Sequence, residues 1–163
     1  MGLELREVTC CFAGHREIPP KVVPILIQAL EHTLCQLIEN GIRYFGAGGA
    51  RGFDTLAAEA VLRLKAHYPH IRLILVLPCI DQTRGWSRQD IVRYHSILAV
   101  ADKVVYTGTQ YSPGSMHRRN RHLVDHSSVC VAYCAKSTGG TAYTVRYAQS
   151  RNLKIFTLLD DYA

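Results

Sequence analysis

Two rhythms of apolar and polar positions take turns along this chain. Residues 8–13 are rich in β-branched and aromatic side chains and predict a strand. From 20 to 39, Val23, Ile27, Leu30, Leu34, Leu37 and Ile38 recur at helical spacing on one face, and Asn40-Gly41 supplies the stop. A short strand at 42–45 and a helix at 55–66 follow. Residues 71–77 form an unbroken apolar run closed by Pro78, the pattern of a strand buried on both faces. A helix with Ser87 as its N-cap runs to 100, then come strands at 103–106 and 128–133 with a helix at 115–125 between them. The last helix covers 141–151, with Asn152 as its stop, and a strand at 154–158 completes the pattern.

Repeated strand–helix–strand units require a parallel sheet, right-handed crossovers and helices on both faces. The fold expected is therefore α/β: a Rossmann-like three-layer α/β/α sandwich with a mostly parallel central sheet. One domain over 1–163 suits the length, since 163 residues can bury a sizeable core and no linker, repeat or low-complexity stretch interrupts them. The nearest approach to a membrane span, residues 22–30, contains Pro24 and Gln28 and falls far short of the roughly 20 apolar residues required. Glu4, Arg6 and Glu7 leave no room for the apolar centre of a secretion signal. The location expected is cytoplasmic, with no membrane partner.

In such sheets, ligands bind beyond the carboxyl ends of the strands. The residues there carry the candidate chemistry. The first strand ends in Gly14-His15-Arg16, a basic pair in which Arg16 suits a phosphate and His15 titrates near neutrality. The second ends in the glycine-rich loop 46–55. A loop of this kind leaves backbone N–H groups open, and a helix starting after it adds its dipole for an anion. It is neither the dinucleotide fingerprint, since Arg51 stands where the third glycine belongs, nor a phosphate loop, since no Gly-Lys-Ser/Thr occurs. Within it Gly48, Gly49, Gly52, Phe53 and Thr55 are candidate ligand-binding residues, Arg51 supplies a cation, and Asp54 supplies a carboxylate for ribose hydroxyls. The third strand leads to Asp81-Gln82 and Trp86, able to hydrogen-bond and stack on a base. The strand at 128–133 leads to Thr138-Gly139-Gly140-Thr141, a second anion candidate in which Thr138 or Thr141 caps the helix.

Charge adds a direction. The net charge of +6 favours an anionic partner, and part of the excess sits in Arg118, Arg119 and Arg121. Asp54 and Asp81 are the only rim carboxylates suited to activating water, as an N-glycosidic hydrolysis requires. No metal site is expected. His122 and His126 share helical spacing, but Leu123 stands where a metalloprotease carries glutamate. Cys130 and Cys134 would lie about 13 Å apart on a strand. Cys10, Cys11, Cys79 and Cys130 lie in apolar runs and read as buried thiols.

Taken together, Cys11-Phe12-Ala13-Gly14-His15-Arg16, Gly49-Ala50-Arg51-Gly52-Phe53-Asp54, Pro78 through Gln82 with Trp86, Arg119-Asn120 with Val124-Asp125, and Gly139-Gly140-Thr141 resemble the SLOG superfamily, most closely its YpsA-like branch. The resemblance runs from residue 10 to about 148. It implies a Rossmann-like fold and a nucleotide-derived ligand, ADP-ribose-like or NAD-related, bound by a sensor or regulator. Two relatives define the alternatives. LOG-type phosphoribohydrolases resemble the loop 137–144, but Thr144 occupies their glutamate position. DprA-type DNA-processing proteins resemble Gly48 to Asp54 and Arg119-Asn120-Arg121, which keeps single-stranded DNA as a second partner. The resemblance thus assigns phosphates to 46–52 and 139–141 with Arg16, Arg51 and Arg119, ribose to Asp54, and the base to Gln82 and Trp86. A bound ADP-ribose-like nucleotide is the one cofactor expected, and self-association is left open.

Overall fold

The structure, a computed structural model, describes residues 2–159. Its elements follow in the order α1 (Gly2–Glu7), β1 (Thr9–Gly14), α2 (Val23–Glu39), β2 (Tyr44–Ala47), α3 (Phe53–Lys65) and β3 (Arg72–Leu77). Then come α4 (Arg88–Val100), β4 (Lys103–Tyr106), α5 (Ser115–Asp125), β5 (Val129–Tyr133), α6 (Gly140–Ser150) and β6 (Lys154–Thr157). The six strands make one sheet in the order β4-β3-β2-β1-β5-β6, with every pairing parallel. This is the α/β Rossmann-like fold the alternating pattern predicts.

Strand side chains alternate between two cores, because successive residues point to opposite faces. Cys10 and Phe12 of β1, Phe45 of β2 and Leu73 and Leu75 of β3 pack with Leu30 and Leu34 of α2, Val61 of α3 and Ile97 of α4. Cys11 and Ala13 of β1, Val76 of β3 and Cys130 and Ala132 of β5 pack instead with Leu123 and Val124 of α5 and Ala148 of α6. Helices α2, α3 and α4 therefore cover one face, and α5 and α6 the other. Both faces of the central strands are dry, which is why their sequences read as continuous apolar runs. Cys10, Cys11, Cys79 and Cys130 are buried free thiols, as expected.

Most elements lie where the pattern places them, and the differences have local causes. The helix α1 was not expected; six residues are too few to show a period. Helix α2 starts at Val23 rather than 20, with Pro24 in its first turn and Leu26 at the centre of its buried stripe, while Val23 and Ile27 are only half-buried. Proline is tolerated there because first-turn N–H groups have no helical partner. Strand β2 runs two residues further than expected, because Gly46 and Ala47 pair with Ile74 and Leu75. Ser87 caps α4 as expected, accepting the Asp90 N–H at 3.2 Å. Among the described residues, no helix is long and apolar enough to cross a membrane.

The chain crosses between edges once. Strands β1 to β4 step outward in one direction, and α5 then carries the chain back so that β5 pairs with β1 on its other side. β1 and β5 stay paired to their carboxyl ends, and the connections that leave them run to opposite faces, to α2 and α6; open α/β sheets form their binding crevice at such a reversal.

Candidate ligand-binding site

A crevice of about 930 Å³ opens above the β1–β5 reversal. The end of β1 contributes Gly14, His15 and Arg16; the loop before α3 contributes Ala50, Arg51 and Asp54. Helix α5 presents Met116, His117, Arg119 and Asn120, and the β5 side adds Tyr133, Lys136, Gly140, Thr141 and Thr144. Three of the four strand ends expected to converge, those of β1, β2 and β5, line this crevice, whereas the end of β3 does not. The volume is near the upper end for small-molecule sites.

The loop before α3 is held in shape by its own polar groups. Gly52 has φ +74° and sits where a Cβ would overlap the backbone of Arg16, so only glycine fits there. Phe53 N–H donates to the His15 carbonyl at 3.0 Å, and Ala50 N–H donates to Asp54 Oδ2 at 3.2 Å. Thr55 Oγ1 donates to the Ala50 carbonyl at 2.9 Å. Of the loop's backbone donors at 48–52, that of Ala50 is thus consumed inside the loop. Phe53 is wholly buried, its ring packed with Phe12 and Tyr133 at 6.2 Å each, while Gly14 provides the flat surface against it. Phe53 and Thr55, expected to bind the ligand, shape the turn and do not line the crevice, and neither do Gly48, Gly49 and Gly52.

The loop before α6 is the opposite case. Gly139 is the N-cap, at φ +98°, and no side chain caps the helix. The capping expected from Thr138 or Thr141 is not made: Thr138 is exposed outside the crevice wall, and Thr141 lies one residue inside the helix. With glycine at the N-cap, the first-turn N–H groups keep their positive end toward the crevice, beside Gly140 and Thr141. Thr144 Oγ1 turns back onto the Gly140 carbonyl at 2.9 Å.

Buried charge sits on the floor. The Arg119 side chain is 4% exposed and donates to the Gly48 carbonyl and, at 2.7 Å, to Asn120 Oδ1. Gly48 must be glycine because a Cβ would collide with that guanidinium. Asp54 is 7% exposed and lies across Gly48 from Arg119 without a direct ion pair. Burial pushes its carboxyl pKa up, against the opposing pull of Arg119, Ala50 N–H and Arg16. Burial also lowers the Arg119 pKa, against the pull of Asp54. On α5, the spacing Ser115, Arg119, Leu123 turns one arginine inward while Arg118 remains exposed.

His15 uses its ring nitrogen to join two loops. Its Nε2 accepts the Ala135 N–H at 2.8 Å, which places the ring proton on Nδ1. Burial and then Lys136 lower its pKa, so the ring is neutral near pH 7. It ties the β1 loop to the β5 loop and stands edge-on to Tyr133 at 5.4 Å.

Beside the crevice lies a second cavity of about 330 Å³, whose walls include Cys79, Asp81, Gln82, Trp86 and Tyr111. It shares Arg16, Ala50, Arg51 and Met116 with the first. Asp81 is exposed and lines this second cavity, whereas Asp54 lines the crevice. The two candidate carboxylates therefore do not face one another. Tyr133 escaped the sequence reading, although it ends β5 and follows the same strand-end rule. Met116 and His117 needed the rotation of α5 to be known.

A six-stranded parallel α/β sheet with a polar crevice at its strand reversal defines a Rossmann-like α/β protein. The YpsA family model, described as the YspA SLOG family, matches residues 16–159. The chain belongs to that family. It is 33% identical over 127 residues to a UPF0398 protein of Halalkalibacterium halodurans, covering 76% of this chain and 67% of that one. It is 32% identical over 140 residues to the SPbeta prophage-derived protein YoqJ of Bacillus subtilis, covering 78% of this chain and 80% of that one. Among solved structures it resembles DNA processing protein A of Helicobacter pylori, described for its single-stranded DNA binding mode, with TM-score 0.65 and 21% identity over 96% of this chain. It also resembles DNA processing protein A of Streptococcus pneumoniae, with TM-score 0.63 and 20% identity over 96% of this chain. The chain spans 66% and 53% of those two proteins. At these identities the likeness is one of fold.

Proposed function

We propose that the protein binds a nucleotide or nucleotide-derived ligand, such as an ADP-ribose-like molecule, in the crevice at the carboxyl rim, and serves as a sensor or regulator. One observation carries this reading. The uncapped start of α6 faces a cavity also lined by Arg16, Arg51 and Lys136, none of which pairs with a carboxylate among the described residues. Unpaired cations around a helix N-terminus suit a phosphate. The phosphate then sits nearer Gly139, Gly140 and Thr141 than the self-bonded loop 48–54, and Asp54 faces the ribose. Calorimetric titration with ADP-ribose, NAD, AMP and cyclic nucleotides tests this. Saturable binding weakened by Arg16→Ala and by Lys136→Ala is expected, and no binding at millimolar ligand defeats it.

A second reading follows from Asp54, a carboxyl on the crevice wall, whose raised pKa suits a group that exchanges a proton in N-glycosidic cleavage. Release of free base from nucleotides, abolished by Asp54→Asn, supports a hydrolase; absence of turnover with intact binding leaves a sensor. Single-stranded nucleic acid is the remaining partner, supported by the net charge of +6 and the fold shared with the DNA processing proteins. It requires oligonucleotide affinity that falls steeply with salt, because neutralised phosphates release counterions.

A further inference from the structure

We infer that the wall of the crevice toward α2 is a sugar subsite, in which the Tyr133 hydroxyl hydrogen-bonds a ribose hydroxyl of the ligand. The inference rests on the nucleotide reading above and adds to it the residue that recognises the ligand's uncharged part.

The starting point is an unused hydroxyl. Tyr133 ends β5, is 8% exposed and lines the crevice. Its ring is held by Phe53 at 6.2 Å and, edge-on, by His15 at 5.4 Å. A buried phenol ordinarily finds a hydrogen-bond partner for its O–H. The Tyr133 hydroxyl has none among the described residues, and it is not one of the polar atoms sealed from water. With the ring packed, the hydroxyl is left open to the crevice that Tyr133 lines. His15 repeats the pattern beside it. The Ala135 N–H occupies its Nε2, while its Nδ1–H has no partner among the described residues and is likewise not sealed from water. The wall thus presents a neutral N–H donor next to a hydroxyl that can both donate and accept.

Charge decides which part of a ligand belongs here. Phe12 and Tyr133 belong to the core beneath α2 and α3, and Ile18, also on the crevice wall, packs against it. Glu17 and Pro19 flank Ile18 on that wall. The Glu17 carboxylate pairs with no cation among the described residues, so it repels a phosphate and accepts from a hydroxyl. Apolar side chains with a carboxylate among them make a costly place for a phosphate, and a far cheaper one for a hydrogen-bonded sugar. The open start of α6, which suits the phosphate, belongs to the opposite face of the sheet. A ribose phosphate with its phosphate at α6 and its sugar toward Tyr133 satisfies both sides.

The experiment titrates ADP-ribose, AMP, 2′-deoxy-AMP, 3′-deoxy-AMP and inorganic phosphate into wild type and Tyr133→Phe by calorimetry, and compares the two thermal midpoints. Wild type is expected to bind at least one deoxy analogue about fivefold more weakly than AMP, the loss of one hydrogen bond between neutral groups. In Tyr133→Phe, ADP-ribose and AMP are expected to weaken about fivefold and the preference over that analogue to vanish. Inorganic phosphate is expected to behave alike in both proteins. The midpoint stays level, because the hydroxyl holds nothing inside the protein. Wild-type affinity for AMP and ADP-ribose in Tyr133→Phe overturns the sugar subsite and leaves the nucleotide crevice standing. So does a wild type indifferent to both deoxy analogues, or a deoxy preference that survives in the variant. An equal loss for inorganic phosphate places the hydroxyl at the phosphate, and a lowered midpoint gives it a partner inside the protein; either overturns the inference. If no nucleotide binds the wild type, both readings fall together.

Discussion

The two ends of the sheet handle buried polar groups in opposite ways. At the amino end, Asp102 precedes β4, accepts the Leu73 N–H at 2.8 Å and pairs with Lys65. Although burial alone raises its pKa, the hydrogen bond and charge of Lys65, the Leu73 N–H and Arg72 more than offset this, and the net shift is downward. Arg6 Nε donates to the Ser127 carbonyl at 3.2 Å nearby, and Ser128 Oγ donates to the Glu7 carbonyl at 3.0 Å. At the carboxyl end, Asp54 is held above the usual range, Arg119 below it, and the Gln82 amide and Arg51 Nε lack partners. One fold builds both ends, so the difference is not a property of the sheet. Polar burial that opposes stability concentrates where the strand order reverses, the pattern of a site shaped for a ligand.

The sharpest way to break this comparison is to remove the buried guanidinium. Arg119→Ala takes the donor from the Gly48 carbonyl and Asn120 Oδ1 and the charge that lowers the Asp54 pKa, and should cost on the order of 2 kcal/mol in urea unfolding at pH 7. Adding Asp54→Asn should recover part of that loss, since the remaining buried group is neutral. Equal losses in the single and double variants would show that Arg119 acts through its hydrogen bonds and packing alone.

At the amino end, Asp102→Ala should cost about 1 kcal/mol at pH 7, part of the ion pair being screened by solvent. Its folded pKa lies below the unfolded value near 3.8, so its contribution is present above that value and fades as the pH falls through the folded pKa. Parallel pH–stability curves for wild type and variant through this acid range would refute the assignment.

Asp54 predicts the reverse sign. Its folded pKa is raised, so the native state holds a proton that the unfolded chain has released, and stability falls as the pH rises from about 3.8 through the folded pKa. Asp54→Asn should flatten that decline and leave the protein at least as stable as wild type at pH 7. A destabilised Asp54→Asn at neutral pH would mean that the Arg119 attraction outweighs burial. The last effect is expected at the α4 cap: Ser87→Ala removes the acceptor of the Asp90 N–H and should cost about 1 kcal/mol in urea unfolding.

Much of the fold was legible because periodicity reports burial, and burial here is two-sided. The run 71–77 and the stretch from Leu30 to Ile38 could scarcely be anything but a buried strand and an amphipathic helix. Helix α1 was illegible at six residues, and the end of β2 depends on its neighbour β3. Gly14, Arg16, Arg51, Asp54 and Thr141 were legible as strand ends and Arg119 and Asn120 through the family resemblance, and all seven line the crevice. The partners inside it were not legible. Nothing local says that Ala50 N–H turns to Asp54, that His15 accepts from Ala135, or that Phe53 packs into the core, since each depends on a residue brought in by tertiary packing. The split into two cavities, separating Asp81 from Asp54, is of the same kind.

The central claim is that the crevice at the β1–β5 reversal holds the phosphate end of a nucleotide. Its most direct test is calorimetric titration of ADP-ribose into the wild type and into Arg16→Ala and Lys136→Ala. The account predicts saturable binding to one site per chain in the wild type, weakened at least about tenfold in each variant, as befits loss of a charge-assisted phosphate contact. Absence of binding at millimolar ligand, or wild-type affinity in both variants, would contradict it.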